Sequence, residues 1–289
     1  SYNHDTQIET DIGDLGVDDI EAIEFDPISG KLYGARGDSL YEINTTTGAA
    51  TIVGEWSPSS MPTPFGGLDG MNFNDVDGFA RDVTSNVWYA SARVDDSDEG
   101  GGPDLLFKFS TATGHYIPGA FPGGHDYVRI EKPSAGLNLI DDLSYDSFSG
   151  KLYGIANGIG AFDDETTIVE INTSTGDTTN LGNVVHDPDG AGSAPAENVG
   201  DAEGITITLD RRVLMTTGKS GNFPETLFEL QGVGSGGTII ATKLADLGFG
   251  LYTDYEGITC AVYINPAEVG GKVFEDFDSD GTFGGSDQG

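Results

Sequence analysis

The phrase Asp201-Ala202-Glu203-Gly204-Ile205 returns almost unchanged as Asp254-Tyr255-Glu256-Gly257-Ile258, so the chain has to build several copies of one small unit. Looser copies read Asp19-Ile20-Glu21-Ala22-Ile23 and Asp75-Val76-Asp77-Gly78-Phe79, and a worn one reads Ile140-Asp141-Asp142-Leu143. A carboxylate therefore recurs at Glu21, Asp77, Asp141, Glu203 and Glu256. The spacing of roughly 55 to 65 residues suits small β-sheet repeats rather than helical ones.

The residues downstream of each phrase support this. Phe25-Asp26-Pro27-Ile28-Ser29-Gly30-Lys31-Leu32-Tyr33-Gly34 places two apolar runs around a Pro- and Gly-bearing turn, which predicts a β-hairpin. Leu40 to Ile43, the turn Asn44 to Gly48 and Ala50 to Val53 add a third and a fourth strand. The order recurs from Tyr145 to Gly154 and from Ile168 to Gly176, then more loosely around Val87 to Ala90 with Leu106 to Gly114, and around Val213 to Met215 with Leu227 to Leu230. Tandem four-stranded units that cannot bury both faces alone predict an all-β β-propeller. Gln7 to Gly16 reads as an orphan fourth strand and Asp254 to Ile264 as an orphan first strand. The expectation is five four-stranded blades over residues 1–265, the last closed by both termini, with a sixth left open.

In such a ring the first strand of each blade lines the channel. The tight turns all fall on one rim, and the long connections fall on the other: 55–74, 94–104, 119–138, 157–166, 183–200 and 218–225. Long loops in compact domains are more often functional than accidental. The same rim surrounds the start of each first strand, so loops and repeated carboxylates point to one face. Trp56, Met61, Phe65, Met71 and Phe73 offer either a stacking surface for a ligand or a cover for the blade beneath. The acidic stretch Asp95 to Glu99, followed by three glycines, offers ligands to a cation but reads first as a flexible loop. His125-Asp126 and His186-Asp187 lack a matching third ligand and read as ordinary loop residues.

With 48 acidic and 13 basic residues the net charge is -35, which argues against nucleic acid and anionic membrane surfaces as partners and for cations. A solvated acidic surface accounts for the same charge without any site. Cys260 stands alone in an apolar phrase and is expected to be buried and inert, with no internal disulfide. No apolar run is long enough to insert directly into a membrane. A chain that starts at Ser1 without an initiator Met is expected to be a piece of a longer polypeptide with further domains.

Five carboxylates converging on one channel repel each other unless some stay protonated or a cation neutralises them. Calcium suits an all-oxygen site with irregular geometry. Glu21, Asp77, Asp141, Glu203 and Glu256 are therefore candidate calcium ligands, with Asp19, Asp75, Asp201 or Asp254 as helpers. The alternative is that each carboxylate accepts backbone N–H groups of the neighbouring blade and stitches the ring. A hydrolase would use two or three such carboxylates as acid and base. Their equivalence in every blade argues for binding instead, because catalysis needs unlike environments.

In the tail, Asp276, Asp278, Asp280 and Asp287 occupy positions 1, 3, 5 and 12 of an EF-hand-type calcium loop, with Gly281 at position 6. Asp287 stands where a longer Glu is usual. The rival assignments are a flexible acidic tail, or Gly271 to Phe274 as second strand of the closing blade.

The D-P-x-S-G-K-L-Y-G and L-Y-E-I-N-T-T-T-G segments resemble the bacterial secreted propeller repeats that carry this hairpin pair. The D-x-E-G-I phrase also resembles the first-strand motif of propellers related to phytase-like esterases. Val273-Phe274-Glu275-Asp276-Phe277-Asp278-Ser279-Asp280-Gly281 resembles the opening of the Sdr-type adhesin B repeat, a calcium-binding module of bacterial surface proteins. These resemblances imply an extracellular or cell-surface protein with a linker and a truncated adhesin-type module at 266–289. They also imply a glycan or protein ligand on the long-loop face. A calcium-dependent hydrolase of glycosides or esters is the alternative.

Overall fold

In the computed structural model, residues 2–3, 8–10, 12–18, 20–65, 73, 75–93, 104–131, 137–158, 165–187, 196–208, 210–218, 222–247 and 258–259 are described. They are almost entirely strands and turns. After a short pair, β1 (Tyr2–Asn3) and β2 (Ile8–Glu9), comes an antiparallel meander of β3 (Ala22–Asp26), β4 (Lys31–Arg36), β5 (Ser39–Ile43) and β6 (Ala50–Glu55). A second meander holds β7 (Val76–Asp82), β8 (Val87–Ala92), β9 (Leu105–Phe109) and β10 (Tyr127–Arg129). The third holds β11 (Leu137–Asp146), β12 (Lys151–Gly158), β13 (Thr166–Ile171) and β14 (Thr178–His186). After β15 (Glu197–Asn198) the fourth holds β16 (Ala202–Ile207), β17 (Val213–Thr217), β18 (Thr226–Gln231) and β19 (Ile239–Asp246). These are the four units expected from the repeats, and each forms one propeller blade.

The turn chemistry explains why the repeats fold this way. Asp26 at the end of β3 accepts the N–H of Ile28 at 2.8 Å and the hydroxyl of Ser29 at 2.6 Å, and Gly30 closes the turn at φ 72. Asp146 accepts the N–H of Phe148 at 3.0 Å in the same way, with Gly150 at φ 74. In the second blade Asp82 takes this role, and Asn86 holds the left-handed position at φ 58, which asparagine tolerates better than most residues. Asn44 and Asn172 organise the later turns by accepting two backbone N–H groups each.

The sheets are held to each other by a second recurring arrangement. The turn glycine after the third strand of one blade lies directly on the last strand of the blade before it. Gly114 sits on Gly54 and Gly176 on Arg129, too close for a Cβ on either turn glycine, and the Gly237 carbonyl lies so near Gly182 that Gly182 could carry none. Gly48 lies on Gly13 in the same manner, and the N–H of Ala50 donates to the carbonyl of Leu15 at 2.9 Å. The segment around Gly13 thus stands before the first blade as the last strands of the other blades stand before their successors.

The first strands β3, β7, β11 and β16 run side by side at the centre. The N–H of Ile207 in β16 donates to Ser144 Oγ in β11 at 2.9 Å. The N–H of Phe25 in β3 donates to Thr259 Oγ1 at 2.9 Å, so Thr259 relates to the first blade as Ser144 relates to the fourth.

Trp56 and Phe73, from the long connection between the first two blades, are fully buried against Phe79, Phe107 and Phe109. Of the two readings for these aromatics, covering the blade therefore holds for Trp56 and Phe73; a buried side chain of this size contributes roughly 1.5–3 kcal/mol. Phe65 remains exposed and stacks on His125 at 5.0 Å, and Asp126 ties that loop down by accepting the N–H groups of Phe65 and Gly119. His186 lies in β14, not in a loop, with Nδ1 2.9 Å from the carbonyl of Ala241. One pairing was not expected: Val184–His186 of β14 run parallel to Ile239–Ala241 of β19, joining the third and fourth sheets at their outer edges.

Candidate functional site

The repeated carboxylates owe their position to β-bulges. Where β7 pairs with β8 the register skips Asp77; where β11 pairs with β12 it skips Asp141; where β16 pairs with β17 it skips Glu203. A bulge bends its strand and re-aims the extra side chain. Asp75 and Asp201, two residues before the skipped acid, take left-handed backbone at φ 59 and 58, and their carbonyls accept the N–H groups of Arg93 and Gly218. The glycine of the motif matters as well. A Cβ on Gly78 would lie 2.6 Å from Ser91 Oγ and 2.9 Å from Asp142 Cα, so the acids converge only because the neighbouring first strands touch.

Carboxylate oxygens of Glu21, Asp75 and Asp77, contributed by the first two blades, come within 4.8 Å of one another. Oxygens that share one calcium ion at about 2.3–2.6 Å are separated by up to about 5 Å, so the set has the right size and hardness for that ion. Asp77 also pairs with Arg93, whose Nε lies 2.9 Å from Asp77 Oδ2, while an Nη of the same guanidinium lies 2.7 Å from Asp141 Oδ1. One arginine from the end of β8 thus neutralises two of the repeated acids. Burial would lower the Arg93 guanidinium, but Asp77 and Asp141 beside it more than offset this and raise it. Burial pushes Asp77 well above the usual carboxylate range and Asp141 up to about 6, with Arg93 pulling both the other way.

Asn157, at the end of β12, occupies in the third blade the place that Arg93 holds in the second. It donates to Asp141 Oδ2 and to the carbonyl of Ala202, both at 2.8 Å, and accepts the N–H of Ala202. In the fourth blade the same place is Gly218, whose absent side chain leaves room for Glu203; a Cβ there would lie 2.8 Å from Glu203 Oε1. Thus Glu21 and Asp77 are brought together with Asp75, Asp141 is joined to Asp77 through Arg93, and Glu203 holds the equivalent bulge in the fourth blade. Glu256, Asp276, Asp278, Asp280 and Asp287 lie outside the described residues, as do Asp19, Asp254 and Cys260.

The stitching role exists too, on a residue that the repeat had hidden. Asp142 stands where the other copies carry Ala22, Gly78 and Gly204. Fully buried, it accepts the N–H of Leu143 and, across the interface, the N–H of Ile205, both at 2.8 Å, with Phe79 of the second blade as a further backbone donor. A carboxylate shared by three first strands satisfies N–H groups that bulged strands cannot pair among themselves. Its departure from a small residue was the sequence signal.

At the other end of the channel a second polar group gathers under the tight hairpins. Glu24, in β3, sits where other blades carry Ala80, Ser144 and Thr206. It receives a hydrogen bond from Thr259 at 3.4 Å, and burial pushes it up to about 8 despite that bond and the nearby Arg81. Arg81, itself buried, pairs with Asp26, donates to Asn86 Oδ1 at 2.8 Å and lies 5.0 Å from the Trp88 ring.

No family model matches the chain, and no curated protein matches it. Solved structures with a similar course include hydrazine synthase of Kuenenia stuttgartiensis, at 10% identity and TM-score 0.42, over 84% of this chain and 53% of that one. The Dos1 propeller matches at 10% identity and TM-score 0.37, over 77% of this chain and 47% of that one. A Lactobacillus plantarum protein matches at 10% identity and TM-score 0.34, over 73% and 47%. The chain spans about half the length of these structures.

Proposed function

We propose that the chain is a calcium-dependent binding module: a five-bladed propeller of a longer extracellular or surface polypeptide that takes a glycan or protein on its long-loop face. The observation that carries this reading is the meeting of Glu21, Asp75 and Asp77 within 4.8 Å at the loop-bearing end of the channel. A cation there would relieve the repulsion of Glu21 and Asp75, both partly buried, with the buried Asp77, whereas Arg93 relieves only Asp77 and Asp141. Closure by a composite fifth blade is supported from both termini. Gly13 meets Gly48 as Gly54 meets Gly114, and Thr259 meets Phe25 as Ser144 meets Ile207. That Asp77 and Asp141 are engaged by Arg93 and Asn157 supports binding over hydrolysis, which needs a free acid and base. Asp276, Asp278, Asp280 and Asp287 form the second calcium site of the proposal.

Calcium titration followed by calorimetry and melting tests this. The chain carrying Asp278→Ala and Asp280→Ala isolates the channel site, and it is expected to bind one calcium ion and to melt higher with it. Adding Glu21→Gln and Asp75→Asn is expected to abolish both effects. Calcium that neither binds nor shifts melting in the tail variant overturns the channel site.

A further inference from the structure

The hairpin-bearing end of the first strands holds a cavity of about 90 Å³, lined by residues of all four described blades. It has room for roughly six waters, or for a small polyol in their place. Charge inside it is balanced pair by pair: Arg81 with Asp26, and Arg211 with Asp146 at 3.4 Å. An ion of either sign would therefore enter without a counter-charge to meet it, and the overall charge of -35 further disfavours anions.

Hydrogen-bonding capacity, by contrast, is left over. Among the described residues the buried Nε of Arg81 has no hydrogen-bond partner, and Thr206, buried among the strands, lines the cavity. Ser147 Oγ accepts the N–H of Val83 at 3.1 Å, which leaves its own proton to give. At the lip, Phe148 is 83% exposed, with the Arg211 guanidinium 5.0 Å from its ring. A hydrophobe left that open on a hairpin tip, beside hydroxyls and an unpaired N–H, presents both a stacking face and polar groups that orient a ligand.

We infer that this cavity is a second binding site, separate from the acidic mouth, and that it takes a neutral sugar residue at the end of a glycan, its ring against Phe148 and its hydroxyls on Arg81, Thr206, Ser147 and Glu24. The site does not rest on the calcium reading, because no residue is shared between the two ends of the channel. Glu24 enters the site as an uncharged carboxyl able to give as well as accept, since burial raises it to about 8. The charged and titratable groups around it are Arg81 from β7, Asp142 and Tyr145 from β11, Asp26 from its own strand, and Asp146 with Arg211 at the hairpins. Ionised Glu24 would add an unbalanced negative charge to the cavity and withdraw a donor, so binding should weaken as the pH passes 8.

The experiment is calorimetry or ligand-observed NMR with a panel of neutral hexoses, with glucuronate and acetate as charged counterparts, in the presence of a calcium chelator. At least one neutral hexose is expected to bind saturably. Phe148→Ala, on an exposed side chain that the fold does not need, should weaken it about fivefold, and Thr206→Val by a similar factor. Wild type should lose affinity between about pH 7 and 9, whereas Glu24→Gln, which stays neutral, should keep it. Saturation by glucuronate or acetate with no hexose binding overturns the ligand class. Absence of any saturable binding, or hexose binding unchanged in both Phe148→Ala and Thr206→Val, overturns the site.

Discussion

Replacing Glu24 by Gln tests the electrostatic cost of one acid that stands among the central strands with solvent reaching only part of it. In the unfolded chain Glu24 titrates at its ordinary value of 4.5, and in the folded protein at about 8. The folded state therefore prefers the protonated form. Its contribution is fully present below 4.5, is lost as the pH rises between 4.5 and 8, and is constant above that. Each pH unit in that window corresponds to about 1.36 kcal/mol, so at pH 7 the wild type carries a penalty of about 3 kcal/mol that the neutral amide avoids. Water in the adjacent cavity can screen part of this, so about 1–3 kcal/mol is the expected gain. Urea unfolding of both proteins, followed by far-ultraviolet circular dichroism at intervals from about pH 5 to 9, measures it. The stability difference should be smallest at pH 5, grow steadily in favour of Glu24→Gln, and level off above pH 8. Asp77 is raised in the same direction but does not feel Glu24 and cancels from the difference, whereas Asp142, raised in part by the Glu24 charge, is relieved by the amide and adds to the gain. Parallel stability curves across the whole range would refute the burial argument.

Arg93→Met should destabilise the fold by about 3–5 kcal/mol in the same unfolding assay at pH 7, because it leaves Asp77 and Asp141 buried without their shared counter-charge. The loss should shrink toward pH 5 as those acids take up protons, and a loss that is independent of pH would point to packing instead. Asp142→Ala removes the acceptor of the Leu143 and Ile205 N–H groups and should cost at least about 3 kcal/mol, with Asp142→Asn costing less because one amide oxygen remains. Gly78→Ala should cost about 1–3 kcal/mol by forcing β7 away from Asp142; a neutral result would mean that the two first strands do not touch at this point.

Much of this architecture was legible in the chain because its determinants are local and repeat. Asp at the end of a first strand, Gly or Asn four residues on, and Asn before the later Gly specify the turns through hydrogen bonds that span only two or three residues. Alternating apolar residues between those turns specify the strands, and the order of tight and long connections places the acids of the first strand at the loop-bearing end. The phrase around Glu203 thus determined by itself the repeat, the strand order and the end of the channel where its carboxylates lie. It did not determine their partners. Arg93 differs from Gly37, Asn157 and Gly218 at one position of the repeat, Asp142 from Gly78 at another, and Glu24 from Thr206 at a third. Each such departure acts across an interface, where Asp141 meets Arg93 at a separation of 48 residues and Phe25 meets Thr259 at 234. Only the tertiary structure decides which variable position of one blade faces which position of the next, because that contact depends on how neighbouring sheets pack around the axis and on no pattern within either sheet. Among the described residues the equivalent acids of the sequence accordingly become unequal in the fold: Glu21 gathers with Asp75 and Asp77, Asp77 and Asp141 share Arg93, and Glu203 lies against Gly218.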